Sequence, residues 1–130
     1  MTTKEPNLPY THKIIKFPDM KKKAYESINP NDHVPAIEDL NTSITLYEAG
    51  TIIESLMETY DKQHNISFVP GLKEFFKAKQ WLYYQASGQG QYFGRAVWFT
   101  IYPQPKKLHS VIDRHVDEVR RASGGLNRTL

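Results

Sequence analysis

Between residues 44 and 61 the apolar period of the chain changes from two to 3.6, and that change dictates what the surrounding stretch can be. Ile44-Thr45-Leu46-Tyr47 reads as a short strand of β-branched and aromatic residues. From Glu48 onward Ile52, Ile53, Leu56, Met57 and Tyr60 recur at helical spacing, with Glu54, Glu58 and Asp61 on the outer side. Upstream, residues 34–37 form a second strand-like run and 38–43 supply a turn, so the two runs are predicted to pair as an antiparallel hairpin. Pro35 inside that run has no ladder donor; the strand is therefore an edge, or the bond before Pro35 is cis. Glu48 falls at or beside the N-cap, where the helix dipole favours an acid, and capping alone is one sufficient reason for it.

The remaining segments are arranged around this unit. Residues 10–17, YTHKIIKF, carry Ile14, Ile15 and Phe17 between Pro9 and Pro18 and are predicted to form a further strand. Lys21-Lys22-Lys23 reads as a solvated loop, with an anionic ligand as the alternative. Residues 62–71 look like a linker. A long helical stretch follows, with Phe75, Ala78, Leu82 and Ala86 on one stripe and Phe76, Trp81, Tyr83 and Tyr84 widening it enough for contacts on two sides. Gly88, Gly90 and Gly94 interrupt it, each weakening a helix by ~1 kcal/mol relative to alanine. Their spacing is not the dinucleotide fingerprint and no strand precedes them, so they point to close packing or to a ligand near Tyr92 and Phe93. Pro103 and Pro105 end the stretch. From Lys106 a last helix has Leu108, Val111, Ile112, His115, Val116, Val119 and Ala122 on its core stripe, outward pairs of Arg114 with Glu118 and Asp117 with Arg121, and Gly124-Gly125 as its end.

Several chemistries are excluded at this level. Without cysteine the chain has no disulfide, thiolate metal site or cysteine nucleophile, and its five histidines make no HxxxH or HExxH pair, so no metal site is expected. The 17 basic and 14 acidic side chains are interleaved, which argues against nucleic acid as a partner. No run of apolar residues is long enough for a membrane span and the start has no apolar leader, which places the chain in the cytoplasm.

The segments NPNDHVPAIED, ITLYEAGTIIESLMETYD and KEFFKAKQWLYYQASGQGQYFGRAVWF, in that order, resemble the glutathione S-transferases, most of all the fungal branch related to the yeast nitrogen regulator and prion protein Ure2. The resemblance implies an α+β chain. Residues 1–61 would be a partial thioredoxin-like, glutathione-binding domain of order β-β-β-α whose first βα unit is missing, 62–72 a linker, and 73–130 the first two helices of the all-α C-terminal domain. In that family the residue before a cis-proline offers its backbone N–H and C=O to the cysteinyl part of glutathione, and Val34-Pro35 match that motif; an acid–serine pair holds the γ-glutamyl group, and Glu48-Ala49 stand in its place. Ala49 lacks the hydroxyl, and His33 stands where close relatives carry arginine. Tyr84, Tyr92, Phe93 and Trp98 would resemble the wall of the hydrophobic co-substrate pocket. The thiolate-activating residue is expected on the absent segment, which leaves the catalytic position unassigned. The implied function is conjugation of glutathione, as co-substrate, to a small electrophile by a homodimer, impaired in this chain; the alternative is a non-catalytic Ure2-like interaction module that dimerises through its helices.

Overall fold

The computed structural model describes residues 8–102 and 105–129. Pro103 lies outside the described residues. The chain divides into two compact units, residues 1–75 and 76–130, and it is of the α+β class.

In the first unit two single-turn helices, α1 (Phe17–Met20) and α2 (Lys23–Glu26), lead into an antiparallel hairpin of β1 (Ala36–Asp39) and β2 (Ile44–Tyr47). Its register pairs Ala36 with Tyr47, Ile37 with Leu46, Glu38 with Thr45 and Asp39 with Ile44. The antiparallel hairpin forms as expected, but its first strand lies two residues later than the predicted run 34–37: β1 starts just after Pro35, whose missing N–H keeps it out of the ladder, and takes in Glu38 and Asp39, which were expected in the turn; the Val34-Pro35 bond is cis. α3 (Ala49–Tyr60) follows at once and packs on both strands through the buried Ile52 and Leu56, each 7% exposed. Burial of such side chains contributes roughly 1.5–3 kcal/mol each. At the far end of α3 the Tyr60 hydroxyl donates to Asp39 Oδ2 at 2.7 Å and accepts from Asn41 Nδ2 at 3.1 Å, fastening the hairpin turn to the helix.

Two further expectations for this unit are corrected. Residues 10–17 do not form a strand; 8–16 have no regular structure and Phe17 opens α1. A strand needs a neighbour for its backbone, and the sheet among the described residues has two strands, β1 and β2. Ile14 and Phe17 accordingly remain 86% and 80% exposed. Pro18, near the first position of α1, supplies the helical φ that starts it. Asp61, assigned to the outer face of α3, is buried. Its Oδ1 accepts the Asn65 N–H at 2.8 Å, and its Oδ2 accepts the Ile66 N–H at 3.0 Å and the Ser67 hydroxyl at 2.7 Å, so the loop after α3 closes over it. Burial pushes its carboxyl upward, but the bonds from Ser67, Ile66 and Asn65 outweigh burial and leave it below the usual carboxylate range.

In the second unit α4 (Lys73–Tyr84) passes through a single π-helical turn at Gln85–Gln89 directly into α5 (Gly90–Ile101), and α6 (His109–Asn127) packs against α5 and that turn. The glycines widen the helix here without ending it. Phe99 stacks on His115 at 5.6 Å between centroids, so His115 is a packed histidine as its stripe predicts. The last helix starts at His109 rather than Lys106 and runs through Gly124-Gly125 to Asn127. Gly125 is needed for a close approach: a Cβ there would lie 3.0 Å from the Tyr84 hydroxyl, which donates to the Ala122 carbonyl. The outward ion pairs are i,i+3, Asp117 with Arg120 and Glu118 with Arg121, rather than the expected Arg114 with Glu118 and Asp117 with Arg121; Arg121 also lies over the Tyr92 ring. Phe76, Tyr83, Trp98 and Ile101 stay exposed, since α6 packs against one side of α5 and the π turn only.

Candidate functional site

The antiparallel ladder ends with Ala36 opposite Tyr47. Val34-Pro35, just before β1, and Glu48-Ala49, just after β2, therefore lie at the same end of the hairpin, which brings together two segments that are 14 residues apart in sequence. Glu48 has φ 70° and ψ 116°, a backbone setting that side chains rarely adopt, and the turn it makes directs the chain from β2 straight into α3. Its carbonyl accepts the Ile52 N–H at 3.0 Å, while its carboxylate makes no capping bond to the first turn of α3. Its service to the helix is therefore limited to its charge near the N-terminus, and its oxygens are free of the first turn. It stands exposed beside a helix N-terminus whose first N–H groups have no intrahelical acceptor. The space over that turn is open, since a Cβ on Gly50 would meet nothing within 4 Å.

The other strand enters the site through a loop over residues 29–33. Asn29 is 2% exposed; its Oδ1 accepts the Asn31 N–H at 2.9 Å and its Nδ2 donates to the His33 carbonyl at 2.6 Å. The Tyr25 hydroxyl donates to the same carbonyl at 2.7 Å. At the level of sequence Asn29 reads only as part of a turn and Tyr25 has no assigned role. For Asn29 the available signal was its place at the head of the Asn29-Pro30-Asn31-Asp32 turn, where an asparagine side chain commonly bonds the backbone two residues on; Tyr25 gave none. His33 Nδ1 bonds the Asn31 carbonyl, an acceptor only, so Nδ1 carries the hydrogen and Nε2 is the free end of the ring.

The arrangement suits a zwitterionic, peptide-like ligand. Carboxylate, helix N-terminus and exposed backbone amide offer one anion and several donors within one hairpin end. A second constellation, Asp61, Ser67 and His64, has the residue types of a hydrolytic triad but not its wiring. The single proton of Ser67 goes to Asp61, so His64 Nδ1, 3.1 Å from the hydroxyl oxygen, is a donor to it and cannot act as its base.

The four aromatic residues lie along α4 and α5. Tyr84 is half-buried, edge-on to Trp81 and bonded to α6; Tyr92 is half-buried under Arg121; Phe93 is exposed; Trp98 is 53% exposed and stacks on Tyr102 at 4.8 Å. Tyr84 and Tyr92 are thus joined through α6, and Phe93 and Trp98 are left facing solvent.

Residues 1–64 match the family model for the glutathione S-transferase N-terminal domain. The chain is 45% identical over 120 residues, 92% of its length, to the glutathione S-transferase-like protein gedE of Aspergillus terreus. The chain belongs to the glutathione S-transferase family. Among solved structures, this transferase-family chain resembles the glutathione transferase URE2P6 of Phanerochaete chrysosporium in complex with oxidized glutathione, at 39% identity and a TM-score of 0.89 over 96% of this chain and 58% of that one. It also resembles the nitrogen regulation fragment of the yeast prion protein Ure2p, at 26% identity and a TM-score of 0.90 over 99% of this chain and 59% of that one. The chain covers 53% of gedE and thus spans about half the length of the curated relatives it matches. Among the described residues no helix is long and apolar enough to cross a membrane, and no group of three or more candidate ligands is placed to hold a metal ion.

Proposed function

We propose that this chain binds glutathione at the shared end of the hairpin. Glu48 takes the γ-glutamyl ammonium, the first N–H groups of α3 at Ala49 and Gly50 take its carboxylate, the Val34 N–H and C=O pair with the cysteinyl segment beside Pro35, and the free edge of His33 meets the glycyl carboxylate. The observation that carries this reading is the Glu48 carboxylate, left uncapped and exposed at the N-terminus of α3, at the end of the hairpin where Val34-Pro35 also emerges. Support comes from the relatives crystallised with glutathione. Tyr84, Tyr92, Phe93 and Trp98 are proposed as the surface for a small electrophile.

Conjugation by these residues is expected to be weak. The side chains at the site offer a carboxylate and an imidazole, and Ala49 brings a methyl where the resemblance puts a hydroxyl. The second reading, a non-catalytic module that dimerises through α3 and α4, is favoured by the likeness to the nitrogen regulation fragment and by that same missing hydroxyl. Residues 1–61 and 73–130 are the proposed domains, with a cytoplasmic location. Amide spectra of the labelled chain titrated with glutathione test the binding proposal. Shifts are expected at Val34 and at 48–51; shifts confined to α5 and α6, or none at millimolar ligand, would refute it. Sedimentation separates the two functional readings, since a monomer that binds glutathione removes the dimeric module.

A further inference from the structure

The peptide group joining His33 to Val34 is held from one side only. Its carbonyl oxygen accepts two hydrogen bonds, from the Tyr25 hydroxyl at 2.7 Å and from Asn29 Nδ2 at 2.6 Å. Asn29 is in turn fixed on every side: its Oδ1 takes the Asn31 N–H, its own N–H donates to the Tyr25 carbonyl at 2.9 Å, and its carbonyl accepts the Asp32 N–H at 3.1 Å. Asp32 follows at φ 53°, so the loop doubles back and delivers the His33 carbonyl to the buried amide. In a trans peptide the C=O and N–H point in opposite directions, and among the described residues the cis bond is the next one, Val34-Pro35. Pinning the carbonyl toward Tyr25 and Asn29 therefore aims the Val34 N–H the other way. No described residue accepts from that N–H, and Val34 is exposed. A carbonyl that accepts two bonds also polarises its peptide group, which makes the opposite N–H a stronger donor.

We propose that Tyr25 and Asn29 are positioning residues for the peptide-thiol site: acting through the His33–Val34 peptide group, they hold and strengthen the Val34 N–H as the donor to the cysteinyl carbonyl of the ligand. This rests on the glutathione reading given above. Neither side chain touches the ligand. Their effect is on where one donor points before binding, so that its orientation is not paid for at the moment of association.

Tyr25→Phe removes the hydroxyl and nothing else. In calorimetric titration of the 130-residue chain with glutathione, this variant is expected to bind roughly threefold to tenfold more weakly than the native chain, the range for one lost hydrogen bond. Asn29→Asp keeps the acceptor for Asn31 and puts an oxygen against the His33 carbonyl, and it is expected to bind more weakly still. At ligand saturation the glutathione-induced shift of the Val34 amide should shrink in Tyr25→Phe while those of Ala49 and Gly50 stay at their native values. A general loss of structure would instead reduce all three together, and that result overturns the proposal. So does an unchanged affinity of Tyr25→Phe with an unchanged Val34 shift, which leaves the glutathione reading intact. A native chain that does not bind glutathione overturns both.

Discussion

Restoring a hydroxyl at position 49 should strengthen glutathione binding about tenfold. Ala49 is the first residue of α3 and is exposed, and the neighbouring Gly50 has open space where its own Cβ would be, so the oxygen of an Ala49→Ser variant enters unoccupied volume and displaces no packed atom. A hydrogen bond to a charged group contributes roughly 1.5–3 kcal/mol. Water competes at an exposed helix end, so the lower limit applies, and about 1.4 kcal/mol corresponds to a factor of ten in Kd. The exchange costs the helix at most about 0.5 kcal/mol in propensity, an effect on stability that a melting curve reads separately. Isothermal titration of both chains with glutathione measures the difference. A serine variant whose Kd lies within a factor of two of the native value would refute the assignment of this helix end to the γ-glutamyl carboxylate.

Leu56→Ala removes one of the two buried contacts of α3 with the hairpin and should destabilise the first unit by about 2–5 kcal/mol, read as a lower urea midpoint. Gly124→Ala meets only the flexible end of Arg128 at 3.5 Å and should gain up to ~1 kcal/mol of helix stability, whereas Gly125→Ala must displace the Tyr84 hydroxyl at 3.0 Å. Paired thermal melts should therefore rank Gly124→Ala above Gly125→Ala. Asp61 has its folded pKa below its ordinary 3.8, so its contribution to stability is fully present above that value and is lost as pH falls through the folded pKa. An acid titration of Asp61→Asn should show a shallower loss of stability below about pH 4 than the native chain.

The hairpin and α3 were legible because their signals are local. A change of period at Glu48 and a turn-rich stretch before Ile44 leave few alternatives, although Glu38 and Asp39, expected in the turn, belong to the first strand, and proline at 35 narrowed the backbone to two states, of which the fold takes the cis bond. What was misread depends on partners that the local period does not encode. Residues 10–17 have the composition of a strand, but composition does not supply the neighbouring backbone that makes one. Asp61 looked like a solvent-facing acid because the groups that bury it, Asn65 to Ser67, belong to a loop whose path the helical pattern does not encode. Gly125 has the pattern of a helix end, the commonest reason for glycine there, although its role is set by Tyr84, far away in the sequence. For the site, the residue pattern alone gave an odd proline and a capping acid; the resemblance gave them a shared ligand, and neither pointed to Asn29 and Tyr25 behind them.

Everything proposed for function turns on whether Glu48 holds a ligand ammonium. Glu48→Gln is the same shape without the charge, and the side chain makes no capping bond whose loss would disturb α3. Calorimetric titration of the native chain and this variant with glutathione is therefore the most direct measurement. The native chain is predicted to bind one equivalent, and the variant to bind about tenfold or more weakly, as expected when a charge-assisted bond becomes a neutral one. Equal affinity in the two chains, or no heat of binding in the native one, would contradict the account.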